Sequence, residues 1–218
     1  MKVIIVAGGE PPAQQLIDNE MQEDTTIVAA DGGGNCLWCY GVIPHRLIGD
    51  CDSIATEALN YFTEKKVPIV RYAKEKDETD GQLALSWALS LQPREIVILG
   101  ALSGDRIDHL LVALGLLNEC LDHGVKAYLR DENQIVRLVD RPIVLRGESG
   151  TNFSLQAYGG SVDKLSISGS KYELNDYLLK MGDGRTIANE FLGEEVKVSF
   201  DSGKLLVICY GSIPSCRQ

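Results

Sequence analysis

Within the first 130 residues, six short strand-like runs alternate with helix-patterned stretches. Residues 2–7 run into Gly8-Gly9, 25–30 into Asp31-Gly32-Gly33-Gly34, 46–49 into Asp50, 95–99 into Gly100 and 125–129 into Arg130-Asp131; 67–72 is the remaining run. Apolar runs without alternation fit strands covered on both faces. Between them, 55–65 sets Ala58, Leu59 and Phe62 on one helical face, 81–91 groups Leu83, Leu85, Trp87, Ala88 and Leu91, and 108–123 is rich in Leu. This alternation predicts an α/β domain built on a doubly wound, mostly parallel sheet. Ligands of such sheets bind beyond the carboxyl ends of the strands, near a topological switch point.

After about residue 134 the grammar changes. Short strands are expected at 134–139, 143–145, 152–157, 164–168, 195–200 and 204–209, separated by turns such as Gly159-Gly160, Gly182-Asp183-Gly184 and Asp201-Ser202-Gly203. Alternation at Val196, Val198 and Phe200 and at Leu165 and Ile167 predicts a smaller all-β sandwich or barrel. The domains are read as 1–134 and 135–218.

At 218 residues the chain is long enough to bury a core without staples. Its 31 acidic and 21 basic side chains leave a net charge of −10, which disfavours nucleic acid and anionic membranes as partners. No stretch approaches the roughly 18 apolar residues of a membrane span. The opening apolar run is too short for a signal-peptide core, so a first buried strand of a cytoplasmic protein is expected. The six cysteines, at 36, 39, 51, 120, 209 and 216, form no dense framework and are expected to be reduced.

Four segments concentrate acidic residues where predicted strands end: Ala30-Asp31-Gly32-Gly33, Gly49-Asp50-Cys51-Asp52-Ser53, Lys76-Asp77-Glu78-Thr79-Asp80, and Ser103 to His109 with Arg106 and Asp108. If all four loops open on one sheet edge, Asp31, Asp50, Asp52, Asp80 and Asp108 crowd together. Crowded carboxylates repel, and a divalent cation relieves the repulsion. Mg²⁺ takes a few carboxylates plus phosphate oxygens and water, which lets an acidic protein accept ATP. Asp50 and Asp52 can reach one ion if the chain bends between them, with Asp80 joining from the next loop. Each segment also has a plainer use: Asp before a helix caps it, Asp-Gly makes a turn, Arg106 can pair with Asp105 or Asp108, and His109 can cap or pack. The glycines after Asp31 allow close backbone approach to a ligand or serve a turn.

No G-x-x-x-x-G-K-[ST], G-x-G-x-x-G after the first strand, or G-x-S-x-G occurs. Cys36-Leu-Trp-Cys39 has no second ligand pair spaced for zinc, and helix packing accounts for it better than redox chemistry.

In this order the four segments resemble the thiamine pyrophosphokinase family, whose pattern runs ADGG, GD-x-DS, K-D-x-T-D and GGR-x-DH. The turn Asp131-Glu132-Asn133, the segment from Gly169 through Tyr172 to Leu174, and Thr186-Ile187-Ala188-Asn189-Glu190 extend the resemblance over nearly the whole chain. Asp105 stands where the family usually has Gly, Ala188 where it usually has Ser, and Ser170 where it often has Leu.

The resemblance implies Mg²⁺-dependent transfer of pyrophosphate from ATP to the hydroxyl of thiamine, giving thiamine diphosphate and AMP. It implies a catalytic, ATP-binding α/β domain, a thiamine-binding and dimerisation β-sandwich, and a homodimer with active sites at its interface. Carried over by position, Asp50, Asp52 and Asp80 are the catalytic residues and hold Mg²⁺. Asp31, Gly32, Ser53, Thr79, Arg106, Asp108 and His109 line the nucleotide. Asp77, Tyr172 and Asn189 lie toward thiamine, the last two from the partner subunit, and the base is left between Asp80 and Asp77. A cationic vitamin suits an acidic cleft, and an aromatic such as Tyr172 can stack on it. Two other readings remain at this point: another Mg²⁺-dependent phospho- or nucleotidyl-transferase, and a non-catalytic nucleotide-sensing module.

Overall fold

A computed structural model describes residues 1–104 and 106–211; Asp105 and Cys216, both named above, lie outside the described residues. The chain forms two compact units, Met1–Asp131 and Glu132 onward.

The first unit holds β1 (Lys2–Val6), β2 (Thr25–Ala30), β3 (Arg46–Gly49), β4 (Ile69–Arg71), β5 (Glu95–Leu99) and β6 (Lys126–Arg130). All pair in parallel, in the order β4-β3-β2-β1-β5-β6. Val3 through Val6 and Ile96 through Leu99 are fully buried, as strands covered on both faces must be. The helices are α1 (Gln14–Glu20), α2 (Gly34–Cys39), α3 (Thr56–Glu64), α4 (Asp80–Ser90) and α5 (Ile107–Asp122). Helix α4 packs over β1–β3 and against α5, which also lies along β6; α2 packs on α3 and β2. The first four strands step outward from β1 and the chain then returns to place β5 on the other side of β1. The switch point therefore lies between β1 and β5.

In this unit β2, β3 and β5 match their sequence-based bounds, and β1, β4 and β6 shift or shorten by one or two residues at one or both ends. Helix α1 was not expected, since it spans barely two turns and shows too few apolar repeats for a periodicity to stand out, whereas α2 carries Cys36 and Cys39, for which helix packing was the reading.

The second unit is entirely antiparallel. Its strands are β7 (Gln134–Val139), β8 (Ile143–Arg146), β9 (Asn152–Ser168), β10 (Leu174–Leu179), β11 (Asn189–Glu190), β12 (Glu195–Ser199) and β13 (Ser202–Tyr210). One correction concerns Gly159-Gly160, which does not separate two strands: 152–157 and 164–168 are the two halves of β9. Tyr158 faces Lys204 while Asp163 faces Ser202, so five steps along β9 oppose two along β13. That bulge bends β9 and lets its first half pair with β13 and β11 and its second half with β10 and β12. Phe153, Leu155, Leu165, Ile167, Phe191 and Val198 fill the space between the layers. Phe153 and Phe191 meet edge to face at 5.0 Å.

Among the described cysteines, Cys36, Cys39, Cys51 and Cys120 are free, as expected. Cys209 is disulfide-bonded, against the expectation of a reduced thiol. Pairing is set by the approach of Cβ atoms, which sequence spacing does not reveal.

Candidate active site

At the carboxyl ends of β1, β2 and β5 a cavity of about 840 Å³ opens, the size of a small-molecule site. Gly8 and Gly9 after β1, Asp31 and Gly32 after β2, and the 100–104 loop after β5 form its walls. Lys76, Thr79 and Asp80 line it beside the start of α4, and Arg106 and His109 beside the start of α5. It thus lies at the switch point, where the strand order directs a ligand.

The acidic floor is shaped by unusual backbone. Asp31 (φ 40°) and Cys51 (φ 63°) both adopt left-handed conformations. Such strain costs of order 1 kcal/mol or more per residue and collects at functional sites. The bend at Cys51 turns Asp50 and Asp52 toward the same space. The Asp52 amide donates to Asp50 Oδ1 (3.2 Å), the Ser53 hydroxyl to Asp52 Oδ1 (2.9 Å), and the Ser53 amide to Asp31 Oδ2 (3.1 Å). Carboxylate oxygens of Asp31, Asp50 and Asp52 all lie within 4.8 Å of one another. Gly49 (φ 153°) makes this convergence possible: a Cβ there would sit 2.8 Å from the Asp31 Cβ and 3.2 Å from the Asp80 carboxyl carbon.

Two lysines answer these charges. Lys76 Nζ lies 2.9 Å from Asp50 Oδ2 and 3.1 Å from Asp80 Oδ1, with its side chain only 15% exposed. Burial by itself pulls the Lys76 pKa down, but the bonds to Asp50 and Asp80 together outweigh it and raise the pKa above the usual lysine value. Lys74 meets Asp52 at 2.7 Å in open solvent, and that hydrogen bond, helped by Ser53, lowers the Asp52 pKa. Asp31 is 4% exposed, and its Oδ1 has no hydrogen-bond partner. Its pKa is raised, first by burial and then by the charges of Asp80 and Asp50, against the Ser53 amide. A buried carboxylate oxygen left unanswered, with two more carboxylates in reach, fits a hard cation with oxygen ligands.

The structure thus gathers Asp31, Asp50, Asp52 and Asp80 on one floor. Asp108 does not join them: it pairs with Arg106 at 2.5 Å, accepts the His109 amide and is exposed, which is the plainer alternative read from the sequence. Asp77 is exposed and outside the cavity lining. Thr79 caps α4 in a reciprocal bond with Gln82, and still lines the cavity. Gly32 and Ser53 face the cavity. Gly33 serves the fold: a Cβ there would come within 2.0 Å of the Val6 carbonyl oxygen, so its close approach is to β1 and not to a ligand. Cys36 is buried and its thiol is pushed up to about 11, the reverse of an activated dithiol. Lys76 has no role in the sequence reading; its only signal there is its place four residues before the aspartate that opens α4.

Tyr172 and Asn189 belong to the second unit. Tyr172 is 56% exposed on a bend and not in a strand, with the Lys171 ammonium 5.9 Å from its ring. Asn189 is 2% exposed, and its amide bonds the Tyr172 amide (3.0 Å), the Tyr172 carbonyl (2.8 Å), the Ser170 hydroxyl (3.1 Å) and the Glu190 amide (2.9 Å). Ser170, a departure from the family pattern, is therefore part of the strut that shapes this bend.

The family model described as thiamin pyrophosphokinase, catalytic domain, matches residues 17–129, and that described as thiamin pyrophosphokinase, vitamin B1 binding domain, matches 142–205. A thiamine pyrophosphokinase of Bacillus subtilis is 33% identical over 171 residues, 77% of this chain and 79% of that protein. The crystal structure of thiamine pyrophosphokinase from Bacillus subtilis superposes with a TM-score of 0.88 at 29% identity, covering 98% of this chain and all of that one. A thiamin pyrophosphokinase family protein from Enterococcus faecalis gives 0.83 at 29% identity over 98% of this chain and all of that one.

Proposed function

The chain belongs to the thiamin pyrophosphokinase family and transfers pyrophosphate from ATP to thiamine, and we propose that the acidic floor of the first unit is where it does so. The observation that carries this assignment is the convergence of Asp50 and Asp52 on Asp31 at the mouth of β2 and β3, with Asp31 and Asp80 themselves lining a cavity of ligand size.

Asp50, Asp52 and Asp80 are the ligands of Mg²⁺, and the unpartnered Oδ1 of Asp31 supports a fourth oxygen turned toward the same ion. Bound there, the ion supplies neutralisation of the triphosphate and polarisation of the attacked phosphorus. The chain's own groups do the rest. The Gly8–Gly9 turn and the 100–104 loop bring backbone close to the nucleotide. Arg106 can offer its guanidinium fork to phosphate by exchanging Asp108 for it, an exposed pair that costs little to open. Ser53, Thr79 and His109 complete the nucleotide side. Asp77 lies toward thiamine, and Asp80 or Asp77 takes the hydroxyl proton.

Tyr172 offers its ring to thiamine from the second subunit of a homodimer, and Asn189 acts through it, as a positioning residue. Exposed Tyr172, Met181, Ile187 and Leu192 on the second unit support such an interface. The functional domains divide close to the start of β7, read as 134 and 135 from the sequence and lying just past the boundary of the compact units, and the working compartment is the cytoplasm.

Purified protein with ATP, Mg²⁺ and thiamine should yield AMP and thiamine diphosphate, separated by mass. ADP in place of AMP would indicate a different phosphoryl transfer. EDTA should stop turnover, and light scattering should give twice the chain mass.

A further inference from the structure

Resting on the reading of Asp50, Asp52 and Asp80 as metal ligands, we propose that Lys76 is a resident counter-ion of that site, which holds Asp50 and Asp80 in the metal-free protein and competes with the divalent ion for them. Both oxygens of Asp50 are already engaged: Oδ1 accepts the Asp52 amide, and Oδ2 accepts the Lys76 ammonium. The same ammonium lies 3.1 Å from Asp80 Oδ1. A cation reaching Asp50 Oδ2 or Asp80 Oδ1 must therefore displace Lys76 or share that oxygen with it.

The position is poorly screened. The side chains of Lys76, Asp50 and Asp80 are 15%, 11% and 25% exposed. The neighbouring pair Lys74–Asp52 is 78% and 44% exposed, so water screens it heavily. The two lysines thus differ in their hold on the site, although both stand in one short loop.

Exchange has a direction. The displaced ammonium stays on the cavity wall, because Lys76 lines it. A polyphosphate arriving with the metal gives that ammonium a new anionic partner. Free metal offers it none. Lys76 therefore weakens binding of the ion alone while leaving binding of the ion with its triphosphate favoured, which makes the site selective for the metal–nucleotide complex.

The test uses Mn²⁺ as the probe, without nucleotide, on the full chain. Titration followed by electron paramagnetic resonance should show Lys76→Met and Lys76→Gln binding Mn²⁺ on the order of tenfold more tightly than the wild type. Lys74→Met should stay within about twofold of the wild type. In EDTA, Lys76→Met should melt below the wild type, and Mn²⁺ should raise its Tm by more than it raises that of the wild type. A Tm loss that is the same with and without Mn²⁺ would mark a purely structural lysine and overturn the proposal. Adding Asp52→Asn separates the two readings. If the Lys76→Met protein keeps its Mn²⁺ binding with Asp52 replaced, the ligand assignment is wrong. If that binding is lost, but Lys76→Met alone binds no tighter than the wild type, the ligands stand and the counter-ion role falls.

Discussion

Asp31 in the first unit and Asn189 in the second are almost equally buried, at 4% and 2% exposure. Their hydrogen bonding differs completely. Asn189 uses both lone pairs and both amide hydrogens on Glu190 and on the 170–172 bend. Asp31 has one oxygen bonded to the Ser53 amide and one without a hydrogen-bond partner, and two further carboxylates raise its pKa after burial does. A closed polar network specifies a shape, whereas an open one stores a demand for a ligand. The first unit is thus built to bind charge, and the second to hold a loop still.

The largest effect should come from the open side. Asp52→Asn removes one of the converging charges while its side chain remains half in solvent, so the fold should survive. Turnover should fall by about 10³-fold or more, the scale of several kcal/mol of charge stabilisation. Unchanged circular dichroism with normal kcat would break the contrast, since the acids would then be mere turn residues. On the closed side, Asn189→Ala leaves the Tyr172 amide and the Glu190 amide without their side-chain acceptor, while the Tyr172 carbonyl keeps the Ser170 hydroxyl. We expect a loss of about 3 kcal/mol in urea unfolding, from the desolvated groups left behind. A loss below about 0.5 kcal/mol would show that the strut is not needed.

How far the sequence revealed this contrast follows from the physics of each part. The parallel strands were legible because burial on both faces writes an unbroken apolar run, and the run 95–99 became β5 with the same ends. The acids were legible as a set because they recur where strands stop. What they bind to in the absence of ligand was not: Lys76 reaches Asp50 across 26 positions, a pairing that only the folded loops create. Asp108 shared the pattern but closed on Arg106 two residues away, since local pairing competes with convergence. In the second unit, Gly159-Gly160 looks like a turn in any local window. Only the neighbouring strand β13, with its shifted register, shows that the chain bends there without reversing. Gly33 was legible as a place of close approach, but not as to what approaches.

A smaller effect sharpens the comparison at the ligand end of the closed network. Tyr172 is mostly exposed, so Tyr172→Ala should leave the Tm within a degree or two, while KM for thiamine rises about tenfold, the scale of one cation–π contact. Tyr172→Phe should restore it. If both variants raise KM equally, the hydroxyl and not the ring face makes the contact.

The smallest effect tests the open side without any ligand. The Asp31 pKa is raised in the folded protein, so between the unfolded value near ~3.9 and that higher value the folded state binds more protons than the unfolded one. Stability from this group is therefore full at low pH and is lost as pH rises through the folded pKa. Asp52, whose pKa is lowered by its bonds to Lys74 and Ser53, acts in the opposite sense and loses its contribution on acidification. In EDTA, Asp31→Asn should keep the Ser53 bond through its carbonyl oxygen and remove the buried charge that faces Asp80 and Asp50. We expect it to stabilise the metal-free protein at pH 7 by a gain of under about 1 kcal/mol, shrinking toward zero at pH 4. Urea unfolding across that range checks the sign. A variant less stable than the wild type at pH 7 would mean that the Asp31 charge already has an adequate partner in the chain, and the difference between the two units would no longer lie in what they leave unbonded.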